Sequence, residues 1–363
     1  MPDGNESVLL AKSRMAETSP AIIGVFGGFG RAAAASLIEG ALSRSFKVCS
    51  GFMVLEDIAD CARKILAAPC DATAHVWEME SASQCAAAEF VKNFPVTHAV
   101  VTDAPGKGMS GFLGISESEA LVSLYYNSDA EAIAPALEGI NKNGVGFSGG
   151  IKIKEARQDM AGSCEPGLYV TISIGGEEYS CYANLFGRQN ARNMSFALSV
   201  ALDLGVFPDD IRYGMAEALL PPGIGNVYRA AGGGFMIDET SCPCPDSVSH
   251  SIKDLIELDA PSDTVRIAIL GGMRCLGGDS GHWHDVVMSR ACLLDSVYLI
   301  GEEWDGAVTG QPSLRGKWAS TDGFLRDLDM SVMNGAVTLV NDSGFYDMAK
   351  IVQAACPSWS GRP

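Results

Sequence analysis

Apolar and polar positions along this chain fall into blocks whose period changes several times. Residues 21–26, Ala-Ile-Ile-Gly-Val-Phe, form a continuous apolar run of strand length. Gly27-Gly-Phe-Gly30 follows at once, and residues 31–42 are Ala-rich with good helix formers. The alternation continues with a helix over 57–67, a strand over 72–79, a helix over 83–93 and a strand over 98–102. Residues 116–126 and 129–140 read as helices. Strands separated by helical segments predict a mainly parallel sheet covered on both faces. Residues 1–20 are polar and read as a loose, flexible lead-in.

The texture changes at Gly149. Segments 151–154, 168–174 and 178–183 alternate apolar and polar, and Gly175-Gly176 separates the last two. That is a hairpin signal, and a small antiparallel β insert is expected here. Helices follow over 190–204 and 209–219, the second preceded by Pro208 with Asp209 or Asp210 as its N-cap. Pro221-Pro222-Gly223 marks the expected domain boundary. Beyond it the α/β pattern restarts, with strands over 234–238, 265–270 and 296–301 and helices over 245–258 and 281–294. The predicted fold is α/β. A P-loop-type, mainly parallel central domain spans 21–221, and a smaller Rossmann-like domain spans 222–363.

Composition narrows the function. The 363 residues are 47% hydrophobic and 19% charged, as in a globular chain with a sizeable core. The formal net charge of −18, with no run of Lys and Arg, excludes nucleic acid as a partner. Eleven dispersed cysteines without a CxxC pair do not form a disulfide framework. Cys242 and Cys244, with His282 and His284 downstream, leave a zinc site open against the simpler reading of buried free thiols. The first twenty residues lack the apolar core of a signal peptide, and no stretch is long enough to span a bilayer. A cytoplasmic protein without a membrane partner is expected.

The candidate chemistry begins at Gly24-Val-Phe-Gly27-Gly-Phe-Gly30-Arg31-Ala32-Ala33. A phosphate-binding loop needs glycines that let backbone N–H groups wrap an anion, a Lys for the outer phosphates and a hydroxyl for magnesium. Gly27, Gly28 and Gly30 supply the glycines. Arg31 stands where the Lys would be, and Ala32 and Ala33 stand where the hydroxyls would be. A dinucleotide-binding reading of Gly28-Phe-Gly30 ranks last, because the spacing is not GxGxxG and Lys47-Val-Cys-Ser50 offers no acid for a ribose. His75 and His98 read as structural, and His284 as a capping or packing residue.

Later segments add an order to this. Glu78-Met-Glu80 ends one strand and Thr102-Asp103 the next. Gly187-Arg-Gln-Asn190-Ala-Arg-Asn193 leads into an Ala-rich helix. Then come Asp238-Glu-Thr-Ser-Cys-Pro-Cys-Pro245-Asp-Ser247, Leu270-Gly-Gly-Met273 and His284. In this order, from about Ile22 to Glu302, the chain resembles the Mur ligases, most closely the type that adds D-alanyl-D-alanine, without the N-terminal third of the family architecture.

The resemblance implies ATP and magnesium as cofactors, phosphorylation of a carboxylate, and attack on the acyl phosphate by an amine. It places the catalytic role on Arg31 and Lys107. It places nucleotide binding on Gly27, Gly28, Gly30, Arg31, Asn190, Asn193 and Asp238, and metal binding on Glu78 or Glu80. The family's metal-binding His falls on Gly108, and its carbamylated Lys falls near Val122. The linker His becomes Gln189, and two asparagines become Cys242 and Cys244. Two functional readings follow. One is a non-catalytic or partner-dependent relative with a degraded ATP and magnesium site, assisting amide-bond formation beside a protein partner or a second copy. The other is an active, atypical, ADP-forming ligase that joins an amine to a small carboxylic acid or amino acid.

Overall fold

The computed structural model describes residues 4–27, 30–81, 83–103, 113–130, 133, 137, 142–160, 167–241, 244–274, 276–306 and 311–356. The chain forms two compact units. The first comprises residues 1–156, 169–183 and 189–219; the second comprises 157–168, 184–188 and 220–363.

The first unit is built on a nine-stranded sheet. Its strands are β1 (Ala21–Phe26), β2 (Val48–Val54), β3 (Ala74–Glu80), β4 (His98–Val101), β5 (Ser123–Asn127), β6 (Asn143–Gly146), β7 (Ile151–Asp159), β8 (Gly167–Ile174) and β9 (Glu177–Ala183). The order is β2-β3-β1-β4-β5-β6-β7-β8-β9. Pairing is parallel from β2 through β7. β1 lies between β3 and β4 and is buried on both faces, which is why it reads as an unbroken apolar run. The β insert takes the form of an extension of this sheet. Gly175 and Gly176 adopt φ of 60° and 95° in the two-residue turn that folds β9 back on β8.

Around the sheet lie α1 (Gly4–Thr18), α2 (Arg31–Leu42), α3 (Ile58–Ala67), α4 (Gln84–Asn93), α5 (Asn190–Asp203) and α6 (Pro208–Ala216). Asp57 and Ser83 cap α3 and α4 with side-chain oxygens that accept from Asp60 N and Ala86 N. Three expectations are corrected here. The supposed lead-in is α1, which buries Ala11 and Met15, one turn apart, against α3. Arg14 fastens it by donating to Leu66 O at 2.7 Å and Ala68 O at 2.5 Å at the C-terminal end of α3. Next, the helix expected over 116–126 gives way to β5, whose Leu124, Tyr125 and Tyr126 suit a strand held between β4 and β6. Finally, α6 starts with Pro208 in its first turn and no side-chain cap. Asp209 and Asp210 lie inside that turn, where they favour the helix dipole instead. The helix expected over 129–140 lies largely outside the described residues. α2 and α6 touch backbone to backbone: a Cβ on Gly214 would lie 2.0 Å from Gly40 O.

The second unit holds a six-stranded sheet of β10 (Asn226–Arg229), β11 (Phe235–Glu239), β12 (Arg266–Gly271), β13 (Ser296–Ile300), β14 (Leu314–Trp318) and β15 (Val337–Asn341), ordered β10-β11-β15-β12-β13-β14. β10 is antiparallel to β11, and the other pairs are parallel. With the strand period of two, Ala268 and Leu270 join one core while Ile267 and Ile269 join the other. The helices are α7 (Pro245–Ile256), α8 (Ser280–Ala291), α9 (Thr321–Asp327) and α10 (Ala349–Ala355). This unit also draws in two earlier segments. Phe186 is fully buried in its core. The Gln158 amide donates to Leu185 O at 2.9 Å and accepts from Gly187 N at 3.1 Å. Arg188 binds Asp254 through its backbone N at 2.8 Å and its Nε at 3.0 Å. Among the described residues no helix is long and apolar enough to cross a membrane.

Candidate functional site

The glycine turn after β1 is set by close contact as much as by conformation. Gly27 has φ 126°, and a Cβ there would lie 2.2 Å from Thr102 Oγ1. Thr102 holds the turn by donating its N–H and hydroxyl to Phe26 O, at 2.9 and 3.1 Å. Gly30 precedes α2 at φ 78°, and a Cβ there would meet Asn193 Nδ2 at 3.2 Å. Gly28 lies outside the described residues, as do Lys107 and Gly108.

Arg31, the first residue of α2, meets both candidate metal carboxylates. Its Nε lies 3.4 Å from Glu78 Oε2 and its Nη2 3.6 Å from Glu80 Oε2. The sheet register explains the meeting. Val25, just before the turn, pairs with Glu78, and the strand period places Glu80 on the same face of β3. Phe52 pairs with Glu78 from the other side, and its ring carries the guanidinium at 5.2 Å from the centroid. The structure thus joins the catalytic candidate Arg31 to the metal candidates Glu78 and Glu80.

A magnesium ion wants an octahedral set of hard oxygens. Here the two carboxylates already face a guanidinium, and Ala32 and Ala33 bring no oxygen. Among the described residues no three His, Cys, Asp or Glu side chains converge as a metal-holding group. This donor set does not fit a divalent ion. The glycine turn before a helix N-terminus does fit an anion.

On α5, Asn190 and Asn193 are buried, and Asn193 Nδ2 donates to Asn190 Oδ1 at 2.9 Å, beside Gly30. Arg192, between them, donates from Nη2 to Asp129 Oδ2 at 2.8 Å. Asp129 also accepts from Ser148 Oγ at 2.9 Å and from Phe147 N at 3.2 Å. Partial burial pushes the Asp129 carboxyl up, but bonds from Arg192, Ser148 and Phe147 outweigh it and hold the carboxyl below the usual range. Val122, where the carbamylated Lys of the family falls, is exposed. Sequence reasoning missed Phe52 and Asp129. The signal available for Asp129 was its place just after the aromatic run of β5.

Asp238 belongs to the second unit and is fully buried. Its Oδ2 accepts from Gly223 N at 3.1 Å, and its Oδ1 accepts from Thr240 N at 3.3 Å and Thr240 Oγ1 at 2.7 Å. These bonds pin the Pro222-Gly223 turn to the end of β11. Next to it, burial pushes the Glu239 carboxyl up to about 7, against hydrogen bonds with Ser251 and Asn341. His284 is structural. Its Nε2 accepts from Met273 N at 3.0 Å, its Nδ1 donates to Ser280 O at 2.7 Å, and its ring meets Trp304 edge-on at 4.5 Å. Beyond the ends of β12, β13 and β15, Arg274 donates to Glu303 Oε1 at 2.7 Å and to the Tyr346 hydroxyl at 3.3 Å, and Tyr346 donates to Glu303. Cys242 lies outside the described residues, and Cys244 is an exposed free thiol. Burial pushes the Cys61 thiol up to about 11 and the Cys181 and Cys356 thiols up to about 12, so these sulfurs are inert at neutral pH.

No protein-family model matches the sequence, and neither does any curated protein. Solved structures do match. The MurF ligase of Thermotoga maritima, in complex with ADP, superposes with a TM-score of 0.77 at 17% identity, over 97% of this chain and 83% of that chain. The unmatched share of that chain is smaller than the third expected from the sequence. MurF from Acinetobacter baumannii gives 0.75 at 16% identity, over 97% and 80%. Folylpolyglutamate synthase from Thermotoga maritima gives 0.67 at 10% identity, over 98% and 94%. The chain has a Mur-ligase-like fold.

Proposed function

We propose that this chain is an amide-ligase-like protein of the Mur type whose ATP and magnesium site is degraded, and that it assists amide-bond formation as a non-catalytic or partner-dependent component. One observation carries the reading: Arg31, in place of the loop Lys, is bound to Glu78 and Glu80, with Ala32 and Ala33 behind it. Phosphoryl transfer needs preorganised positive charge directed at the transferring group. Here Arg31, the cation that opens α2 after the glycine turn, is engaged by the protein's own carboxylates. A partner protein or second copy in a reducing cytoplasm completes the picture, and exposed Phe207, Tyr213 and Leu219 offer apolar surface for it. Isothermal titration of the chain with ATP and magnesium chloride tests the reading. Weak binding that magnesium does not strengthen is expected; tight, magnesium-dependent binding would sink it.

The preserved glycine turn favours a second reading, an active atypical ligase that uses Arg31 and Lys107 on a small carboxylic acid. Phosphate release that requires both an acid and an amine would establish it.

A further inference from the structure

We propose that Arg31 is a built-in counter-cation: its guanidinium takes the place of a divalent ion beside Glu78 and Glu80, so these carboxylates bind no metal while it is present. This rests on the degraded-site reading and gives it a mechanism. The guanidinium is held on three sides, by Glu78 Oε2 at 3.4 Å, by Glu80 Oε2 at 3.6 Å and by the Phe52 ring at 5.2 Å. Arg31 and Glu78 are only 19% and 24% exposed, which limits screening by water, while Glu80 at 62% forms the rim. Arginine cannot shed its charge to admit a metal, because it stays protonated at any ordinary pH. A divalent ion would therefore meet a fixed like charge, and would have to displace a planar group from its aromatic support to reach the oxygens.

A second carboxylate–guanidinium pair lies elsewhere in the first unit. Just beyond β5, Arg192 binds Asp129 Oδ2 at 2.8 Å, so a second strand-end carboxylate also faces a guanidinium. Both pairs adjoin the glycine turn through α-helices that start there or touch it: Arg31 opens α2, and Arg192 precedes the Asn193 that abuts Gly30.

Manganese alone, titrated into the full chain and followed by electron paramagnetic resonance, tests the proposal. The wild type and Glu78→Gln are expected to give superimposable isotherms, so no manganese site depends on Glu78. Arg31→Gln should acquire one site at least about tenfold tighter than any in the wild type, and Arg31→Gln combined with Glu78→Gln should lose it. A manganese-induced rise in melting temperature, seen in Arg31→Gln and absent from the double variant, reads the same event independently. A wild-type site lost in Glu78→Gln overturns the proposal, and so does a folded Arg31→Gln that gains nothing. The comparison of the wild type with Glu78→Gln can overturn the proposal even when Arg31→Gln does not fold. Phosphate release by the wild type would sink the functional reading and leave these manganese counts standing.

Discussion

At Gly30 the absence of a Cβ keeps the turn and α5 compatible. Its φ of 78° disfavours any L side chain, and a Cβ would meet Asn193 at 3.2 Å. Gly30→Ala should therefore cost about 1–2 kcal/mol, read from urea unfolding of the full chain; an unchanged midpoint would refute the reading. Glu239 titrates in the opposite sense from most carboxylates. Its folded pKa, pushed up to about 7, lies above the ordinary 4.5, so the folded state holds the proton longer than the unfolded state does. Its stabilising contribution is complete below pH 4.5 and is lost as the pH rises through about 7. Glu239→Gln should flatten that slope and raise stability at pH 8, by up to about 3 kcal/mol. Denaturation at pH 5 and pH 8 checks it, and a variant as pH-dependent as the wild type would sink it. Single residues were legible in type but not in partnership. Through the family resemblance, Arg31 reads as a candidate phosphate-contacting cation and Glu78 or Glu80 as a candidate metal carboxylate. That they engage one another comes from the register of β1 on β3, which residue spacing does not encode.

At the scale of elements, α2 and α6 approach so closely that both helices need glycine at the crossing. A Cβ on Gly40 would lie 2.6 Å from Gly214 O, and one on Gly214 would lie 2.0 Å from Gly40 O. Gly214→Ala should force the helices apart at about 1–3 kcal/mol, outweighing the better helix propensity of alanine. A thermal melt of the variant at or above that of the wild type would show that the crossing yields freely. The elements most legible in the sequence carry unambiguous patterns, such as the unbroken apolar run of β1. The misread ones have weak local signals settled by distant contacts. α1 buries only Ser7, Ala11 and Met15, a stripe too thin to stand out from its polar surroundings. In 116–126 the helix formers of the first half masked the aromatic pair of β5, whose strand state is set by its neighbours β4 and β6.

At the scale of the molecule, Pro221-Pro222-Gly223 marks only one of the passages between the units. The second unit also uses 157–168 and 184–188, which bring Phe186 into its core and Arg188 onto Asp254. A fragment of residues 220–363 lacks both. Losing a buried Phe alone costs about 3–5 kcal/mol, so this fragment should be molten or unfolded by circular dichroism and amide proton dispersion. A melting point within a few degrees of the full chain would contradict that. These borrowed segments were invisible in the sequence, because Phe186 in Asn184-Leu-Phe-Gly187 carries no mark of the core it enters. The strand order of the second sheet has its own consequence for a chain made from one end to the other. β15, the last made of the described strands, is inserted between β11 and β12. Until Val337–Asn341 leaves the ribosome, those two older strands face an empty slot with open hydrogen-bonding edges, and a nonsense codon between Gly271 and Val337 releases a product primed to pair with its own kind.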